Sequence, residues 1–335
     1  MSVAPPGPAV VALGGGHGLA TSLRALQRCT DQLTAVVTVG DDGGSSGVLR
    51  RDLGVLPPGD LRMALTAMAG TSGDEALWAQ VARHRFDRGD LEGHPVGNLM
   101  LVALMAATGD PVVALDRMGK LLGARGRVLP MCEEPVDIVA TLADAAASVG
   151  AGAARSGARQ GATDEVIVRG QVAVAKTPGQ VVSISLDPPE PKVCGAAVEA
   201  LLCADAIVLG PGSWFTSVIP HLLVPALRSA INASSALRIL TLNLAPQQGE
   251  TSGFTPENHL EVLGSHAPDL RIDVVIADPD TVRDEDGLQQ VAAALGATVL
   301  LAPVADVHAG ERHDEERLAS AYATALARGR IRPWR

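Results

Sequence analysis

A chain of 335 residues with 47% hydrophobic residues holds enough apolar material for one large α/β core. Its formal charge of −10 and 2% aromatic content argue against a nucleic-acid surface, which needs a basic face and stacking platforms. The sequence has no apolar run of about 18 residues, the length of a membrane span, so no membrane partner is expected. The opening MSVAPPGPA reads as a short Pro-rich tail (residues 1–8) rather than a basic-then-apolar leader. Cys29, Cys132, Cys194 and Cys203 show neither a CxxC nor a metal-ligand spacing, and read as small buried hydrophobes in a reducing cytoplasm.

From residue 9 onward short β-type runs alternate with helical runs. Val10–Leu13 reads as a strand, followed by a helix carrying Leu19, Leu23 and Leu26 on one face, then a strand at Thr34–Val39. A helix is expected over Asp60–Ala69. Asn98 is expected to cap a central helix whose run Leu99–Met105 is apolar nearly all round. Residues 124–190 form a β-rich excursion that includes a strand at Val181–Leu186. Within it lies a low-complexity Ala/Gly/Ser/Arg tract, Ala143 to Thr163, with a flexible insertion at about 148–162. Beyond it come a helix at Lys192–Ala204, a strand at Ala206–Leu209, a helix at Thr216–Asn232, and strands at Arg238–Asn243, Val274–Ala277 and Thr298–Leu301. A helix at Asp314–Ala327 follows the charged run ERHDEER, which reads as a solvated helix start containing His313, with His308 just before it. The alternation predicts an α/β fold: one Rossmann-like, doubly wound, mostly parallel sheet spanning residues 9–335.

Two strand ends carry glycine turns. In VVALGGGHGLATSL the strand enters Gly14, Gly15 and Gly16, then His17 and Gly18, then a helix. In AIVLGPGSWFTSVIP it enters Gly210-Pro211-Gly212-Ser213, with a helix from Thr216 or Ser217. Glycine lets backbone approach a ligand closely, and a helix N-terminus offers unpaired N–H groups and a favourable dipole. A dinucleotide fingerprint is broken at its third glycine by Leu19. Two such turns in one parallel sheet are expected to aim at a single cleft, with Gly15 and Gly212 on the same side. Trp214-Phe215 fits core packing better than a ring-binding wall. Asp60, in PPGDLR, is either an N-cap or a ligand for a hydroxyl or metal; Asn98, in GHPVGNL, is a cap alone or a cap plus a ligand amide. His94 is placed near the same cleft. In NLAPQQGETSGF, Gln247, Gln248 and Thr251 read either sugar and base edges or nothing at all.

The loop TVGDDGGSSGVLRRDLG sets Asp41 and Asp42 ahead of Gly43, Gly44, Ser45 and Ser46. Carboxylates beside a diphosphate repel it, so three readings stand: they accept hydrogen bonds from sugar hydroxyls, Asp42 holds a Mg²⁺ ion, or they cap a helix starting near Ser45. A sugar nucleotide favours the first. No GxSxG, GxxxxGK[ST] or HExxH occurs, and no nucleophile–base pair is legible.

Together these motifs resemble the gluconeogenesis-factor family (the YvcK-like group), related to the 2-phospho-L-lactate transferases of deazaflavin cofactor synthesis. The matching stretches are GGGHGL at 14–19, TVGDDGGSSG at 38–47, PPGDLR at 57–62, HRF at 84–86, GHPVGNL at 93–99, RGRVLP at 125–130, GPGSWFTSVIP at 210–220 and QGETSGF at 248–254. The likeness spans roughly residues 9 to 280 and thins after Asp280. It implies a Rossmann-like cytoplasmic protein that self-associates, as a dimer, and binds UDP-sugars such as UDP-N-acetylglucosamine. It also implies a role in cell shape and wall synthesis during gluconeogenic growth, with no required cofactor and no established reaction. Its ligand-binding motifs map onto Gly14–Gly18, Asp41–Ser46, Asp60, Asn98, Gly210–Ser213 and Thr216–Ser217. Departures are His17 in place of Thr, Trp214-Phe215 in place of Leu-Tyr, and Pro246-Gln247 in place of Thr-Gln. The second reading is a Mg²⁺-dependent transferase with a guanylylated donor and a deazaflavin acceptor. The GGSSG after the aspartates favours the regulatory branch.

Overall fold

Runs such as Val10–Leu13 and Ala206–Leu209 are too short and too uniformly apolar for amphipathic elements, and such strands are stable only when both faces are covered. The computed structural model, which describes residues 7–142, 166–177, 181–247 and 250–329, covers them with helices on both sides. The first half runs β1 (Val10–Gly14), α1 (Gly16–Leu26), β2 (Leu33–Val37), α2 (Gly44–Leu53), α3 (Pro58–Ala67), α4 (Gly73–Arg83), α5 (Val96–Thr108), α6 (Pro111–Leu121) and β3 (Arg127–Pro130). The excursion follows as β4 (Asp137–Leu142), β5 (Val166–Arg169), α7 (Gln171–Lys176) and β6 (Val181–Asp187). The second half begins with α8 (Gly195–Leu202), β7 (Ala206–Leu209), a π-helical turn (Trp214–Val218), α9 (Ile219–Leu223), α10 (Pro225–Ala233) and β8 (Leu237–Thr241). It ends with α11 (Pro256–His266), β9 (Val274–Ala277), α12 (Glu285–Ala294), β10 (Thr298–Leu301) and α13 (Glu315–Gly329).

The main sheet is parallel throughout, in the order β10-β9-β8-β7-β1-β2-β3. Strand β1 is interior, next to the central strand β7, with Leu13 level with Val36 on one side and Leu209 on the other. The order reverses between β1 and β7, so their carboxyl ends flank the crevice where doubly wound sheets bind ligands. The excursion folds into a separate antiparallel sheet, β5-β4-β6. Buried Tyr322 of α13 ties the crevice from beneath: its hydroxyl meets Ser22 Oγ at 2.8 Å and Thr241 Oγ1 at 3.1 Å, and Ser22 Oγ donates to Gly210 O at 3.1 Å.

Several expectations need correction. The single helix over Thr216–Asn232 is three pieces. Pro225 holds Val224 extended, as a residue before proline prefers, and α9 stops there. Asn98 and Asp60 are not N-caps; Pro95 and Pro57 occupy those positions, and both polar side chains lie one turn in, buried. Cys203 is exposed and Cys29 half-buried, so only Cys132 and Cys194 are buried thiols. The inserted tract lies outside the described residues, as do Gln248 and residues 1–6 of the tail; Gly7 and Pro8 are held by Gln32 and Thr30.

Candidate functional site

The first glycine turn leaves β1 and enters α1 through Gly16, whose φ of +58° lies in the left-handed region that favours glycine. Helix α1 has no side-chain cap of its own and no acid in its first turn; the Asp60 carboxyl takes the Gly16 amide, and the His17 and Gly18 amides behind it stay available. Gly18 is fixed by contact: a Cβ there would stand 2.3 Å from Pro211 O. The second turn is clasped by Asn243, whose Nδ2 donates to Gly212 O at 2.8 Å while its Oδ1 accepts from Gly212 N at 3.0 Å. Gly15 and Gly212 therefore lie side by side, as a shared pocket requires. A cleft of about 780 Å³ opens over them. Its lining includes His17, Gly18, Gly212, Asn243 and Gln247, and on the far wall Arg312 and His313. The run before α13 is thus a cleft wall rather than only a solvated helix start, and His313 Nε2 lies 3.2 Å from Leu242 O.

Ser213 caps the π-helical turn by accepting from Thr216 N. Both hydroxyls, Ser213 and Thr216, donate to the buried carboxylate of Glu250, which the sequence reading missed. Burial pushes the Glu250 carboxyl up, and these donors pull it partly back. Ser217 faces Gly15. Trp214 and Phe215 are core residues, edge-on to His259 and Phe254 respectively. Thr251 is also buried and accepts from Gln247 N at 2.8 Å.

Beneath Gly15 lies an acidic corner. A Cβ on Gly15 would sit 2.5 Å from Asp60 Oδ2, and one on Gly59 would sit 3.0 Å from Asp41 Oδ2. Burial, then the Asp41 charge, pushes the Asp60 carboxyl up to about 7, against the pull of the Gly16 amide and Arg62. Asp41 Oδ1 accepts from Gly43 N at 2.9 Å, a local cap, while Asp42 Oδ1 accepts from Val172 N at 2.9 Å in the first turn of α7. The two neighbouring aspartates thus serve different elements. For a Mg²⁺ ion the fit is partial: Asp41 and Asp60 supply hard oxygen donors, but no group of three or more His, Cys, Asp or Glu side chains that could hold a metal forms among the described residues. Such an ion would rest on these two carboxylates and on the ligand's own oxygens.

One helix further along, Ser46 Oγ accepts from Gly59 N at 3.0 Å, joining α2 to α3. Ser45 and His94, 49 positions apart, meet at 2.9 Å between Oγ and Nδ1. Asn98 Oδ1 accepts from Arg62 Nε at 2.9 Å, so its Nδ2 must face Ser45 Oγ, at 3.0 Å. His94 therefore sits in a polar array over the α2 N-terminus rather than in the lining of the cleft itself. A serine–histidine contact was not legible in the sequence.

Residues 10–305 match the family described as 2-phospho-L-lactate transferase CofD. The chain is also 48% identical over 323 residues to a Mycobacterium tuberculosis protein provisionally named gluconeogenesis factor, covering 95% of this chain and 90% of that one. The chain belongs to the gluconeogenesis-factor branch of the CofD family. The Bacillus subtilis gluconeogenesis factor is 33% identical over 279 residues, 83% of this chain and 81% of its own. The fold agrees with the crystal structure of a UPF0052-family protein from Bacillus halodurans, with a TM-score of 0.80 at 31% identity over 93% of this chain and 97% of that one.

Proposed function

We propose that this CofD-family chain is a nucleotide-sugar-binding regulatory protein of the cytoplasm, self-associating and taking a UDP-sugar. Its physiological setting would be cell shape and wall synthesis during growth on gluconeogenic carbon. The observation that carries the reading is the convergence of the two glycine turns at the point where the sheet order reverses. The His17 and Gly18 amides at the start of α1 supply donors for a diphosphate there, and the cleft beyond has room for a base and ribose. The hydroxyl-rich sugar would extend toward the Asp41–Ser46 loop, placing its charge-poor end near the carboxylates.

A thermal-shift panel tests this with UDP-N-acetylglucosamine, UDP-glucose, NAD, and GDP with and without Mg²⁺. A ligand at about 100 times its dissociation constant stabilises by about 2.7 kcal/mol. UDP-sugars should raise the melting temperature of the wild type. Gly18→Ala, which pushes α1 off the Pro211 carbonyl, should respond at least about tenfold more weakly, a loss of about 1.4 kcal/mol. Stabilisation by GDP with Mg²⁺ while UDP-sugars stay inert would sink the reading. It would favour the transferase alternative instead, for which the Asp41–Asp60 pair is the supporting observation.

A further inference from the structure

Helix α5 has no charged residue among its 13, and a helix apolar all round needs cover all round. The fold covers one side only. Leu99 and Met100 are half-buried, and Ala103, Ala106 and Ala107 are exposed. The neighbouring α4 is inverted: its buried residues are the small Ala79 and Ala82, while Leu77 is 57% exposed and Trp78 39%. Trp78 is the one exposed Trp, Tyr or Phe among the described residues. Asp74, Leu77, Trp78 and Val81 follow the i, i+3, i+4, i+7 spacing, so one face of α4 carries the large apolar groups outward.

The two helices are close neighbours. A Cβ on Gly97 of α5 would lie 2.7 Å from Ala82 O and 2.9 Å from the Cδ of Arg62, whose stem threads past it. After α5 the chain turns at Gly109 and Asp110 into α6, which packs along α5 and leaves Val113 39% exposed. Thirteen residues make α5 about 20 Å long, and three helices about 10 Å apart span about 30 Å. That area is on the scale of a standard interface, about 800 Å² per partner. The charges around it are self-complementary. Asp74 and Glu75 open α4, Arg83 ends it and Arg85 follows; all four are exposed, and none is in an ion pair with a described residue. Arg83 and Arg85 bond backbone oxygens, of Thr66 and Gly93. Two α4 helices laid antiparallel about a two-fold axis set the acidic start of each on the basic end of the other. A partner surface of one sign would be repelled at one end. Two copies at −10 also repel at long range, so their contact needs such a local match.

We propose that the outer face of α4, α5 and α6 is the surface on which a second copy of this chain docks, with Asp74 of each copy against Arg85 of the other. Leu77 and Trp78 are its anchors, and the alanines of α5 leave a shallow floor beside them. This rests on the self-association in the reading above and gives it a place on the molecule.

Sedimentation equilibrium on the full chain tests it. The wild type should be a dimer. Trp78→Glu and Ala103→Glu should each raise the dimer dissociation constant by at least about tenfold. Val182→Glu, at an exposed position on the separate antiparallel sheet, should leave it unchanged. All three positions are exposed, and circular dichroism confirms that each variant is folded. Asp74→Arg should weaken the dimer, and adding Arg85→Glu in the same chain should restore it. A wild type that stays monomeric would overturn the proposal together with the self-association above, while the thermal-shift panel still decides nucleotide-sugar binding. A dimer indifferent to both Trp78→Glu and Ala103→Glu would overturn the choice of face alone, and self-association would stand on another surface. Failure of Arg85→Glu to rescue Asp74→Arg would overturn the antiparallel pairing.

Discussion

Asp60 sits against the backbone of Gly15 and keeps its proton up to about pH 7, because burial and the Asp41 charge both oppose ionisation. A diphosphate arriving at the same turn brings about two negative charges, so it should prefer the protonated form. Without divalent cations, the dissociation constant for a UDP-sugar should rise as the pH climbs from 6 to 8, approaching about tenfold per pH unit above the Asp60 pKa. Asp60→Asn should flatten that dependence. Calorimetry at three pH values checks this, and an unchanged slope in Asp60→Asn would remove Asp60 from the site. Gly18 tells a related story. A glycine after His17 was readable as part of a strand–helix turn, but the reason for it, the Pro211 carbonyl of a second turn, comes from far along the chain.

At the starts of α2, α3 and α5, Asp42, Asp60 and Asn98 serve neighbouring elements rather than their own. Pro57 and Pro95 hold the cap positions of α3 and α5 and carry no side-chain acceptor, leaving Asp60 and Asn98 to reach sideways into the site. Asp42 reaches furthest, to Val172 at the start of α7, and so pins the small antiparallel sheet to the glycine loop. Asp42→Ala should leave that N–H without its acceptor, at a cost of about 1–2 kcal/mol. Hydrogen exchange should quicken across Val172–Lys176 by about tenfold or more, while β1 and α1 are unaffected. Exchange unchanged in α7 would show that the contact does not hold the sheet. Other helices were signalled in the sequence and passed over. Asp110-Pro111, Thr255-Pro256 with Asn258, and Asp284 are caps whose side chains accept from the first-turn amides of α6, α11 and α12.

Across the whole molecule, buried titratable groups oppose one another in acid. His221 lies wholly buried against Val36 O, and His313 is half-buried in the cleft wall; burial holds each down to about 4. An unfolded histidine takes its proton near 6.5. The unfolded chain therefore binds more protons between 6.5 and 4, and the histidine contribution to stability is lost as pH falls through that window. Asp60 has the reverse sign: its folded value of about 7 exceeds the unfolded one, so it contributes stability as pH falls and loses it as pH rises through 7. Urea unfolding of Asp60→Asn should thus show a steeper decline from pH 6.5 to 4.5 than the wild type. Parallel curves would mean that Asp60 does not keep its proton in the folded state.

Local chemistry settled the elements whose signals are local. The strands β1, β7, β9 and β10, the two glycine turns and the helix that follows the first one are written in runs of a few residues, because apolar runs and glycine act at that range. The strands of the excursion were harder: Asp137–Leu142 alternates buried and half-buried positions, which makes sense only beside β6. What the tertiary structure alone decided is which distant groups share a corner. Glu250 lies on Ser213 and Thr216, Ser45 meets His94, and Arg62 threads past Gly97 without meeting an acid. Those contacts depend on helix ends from separate βα units being brought to one edge of the sheet. That is a property of strand order, and it is not encoded in any single stretch of sequence.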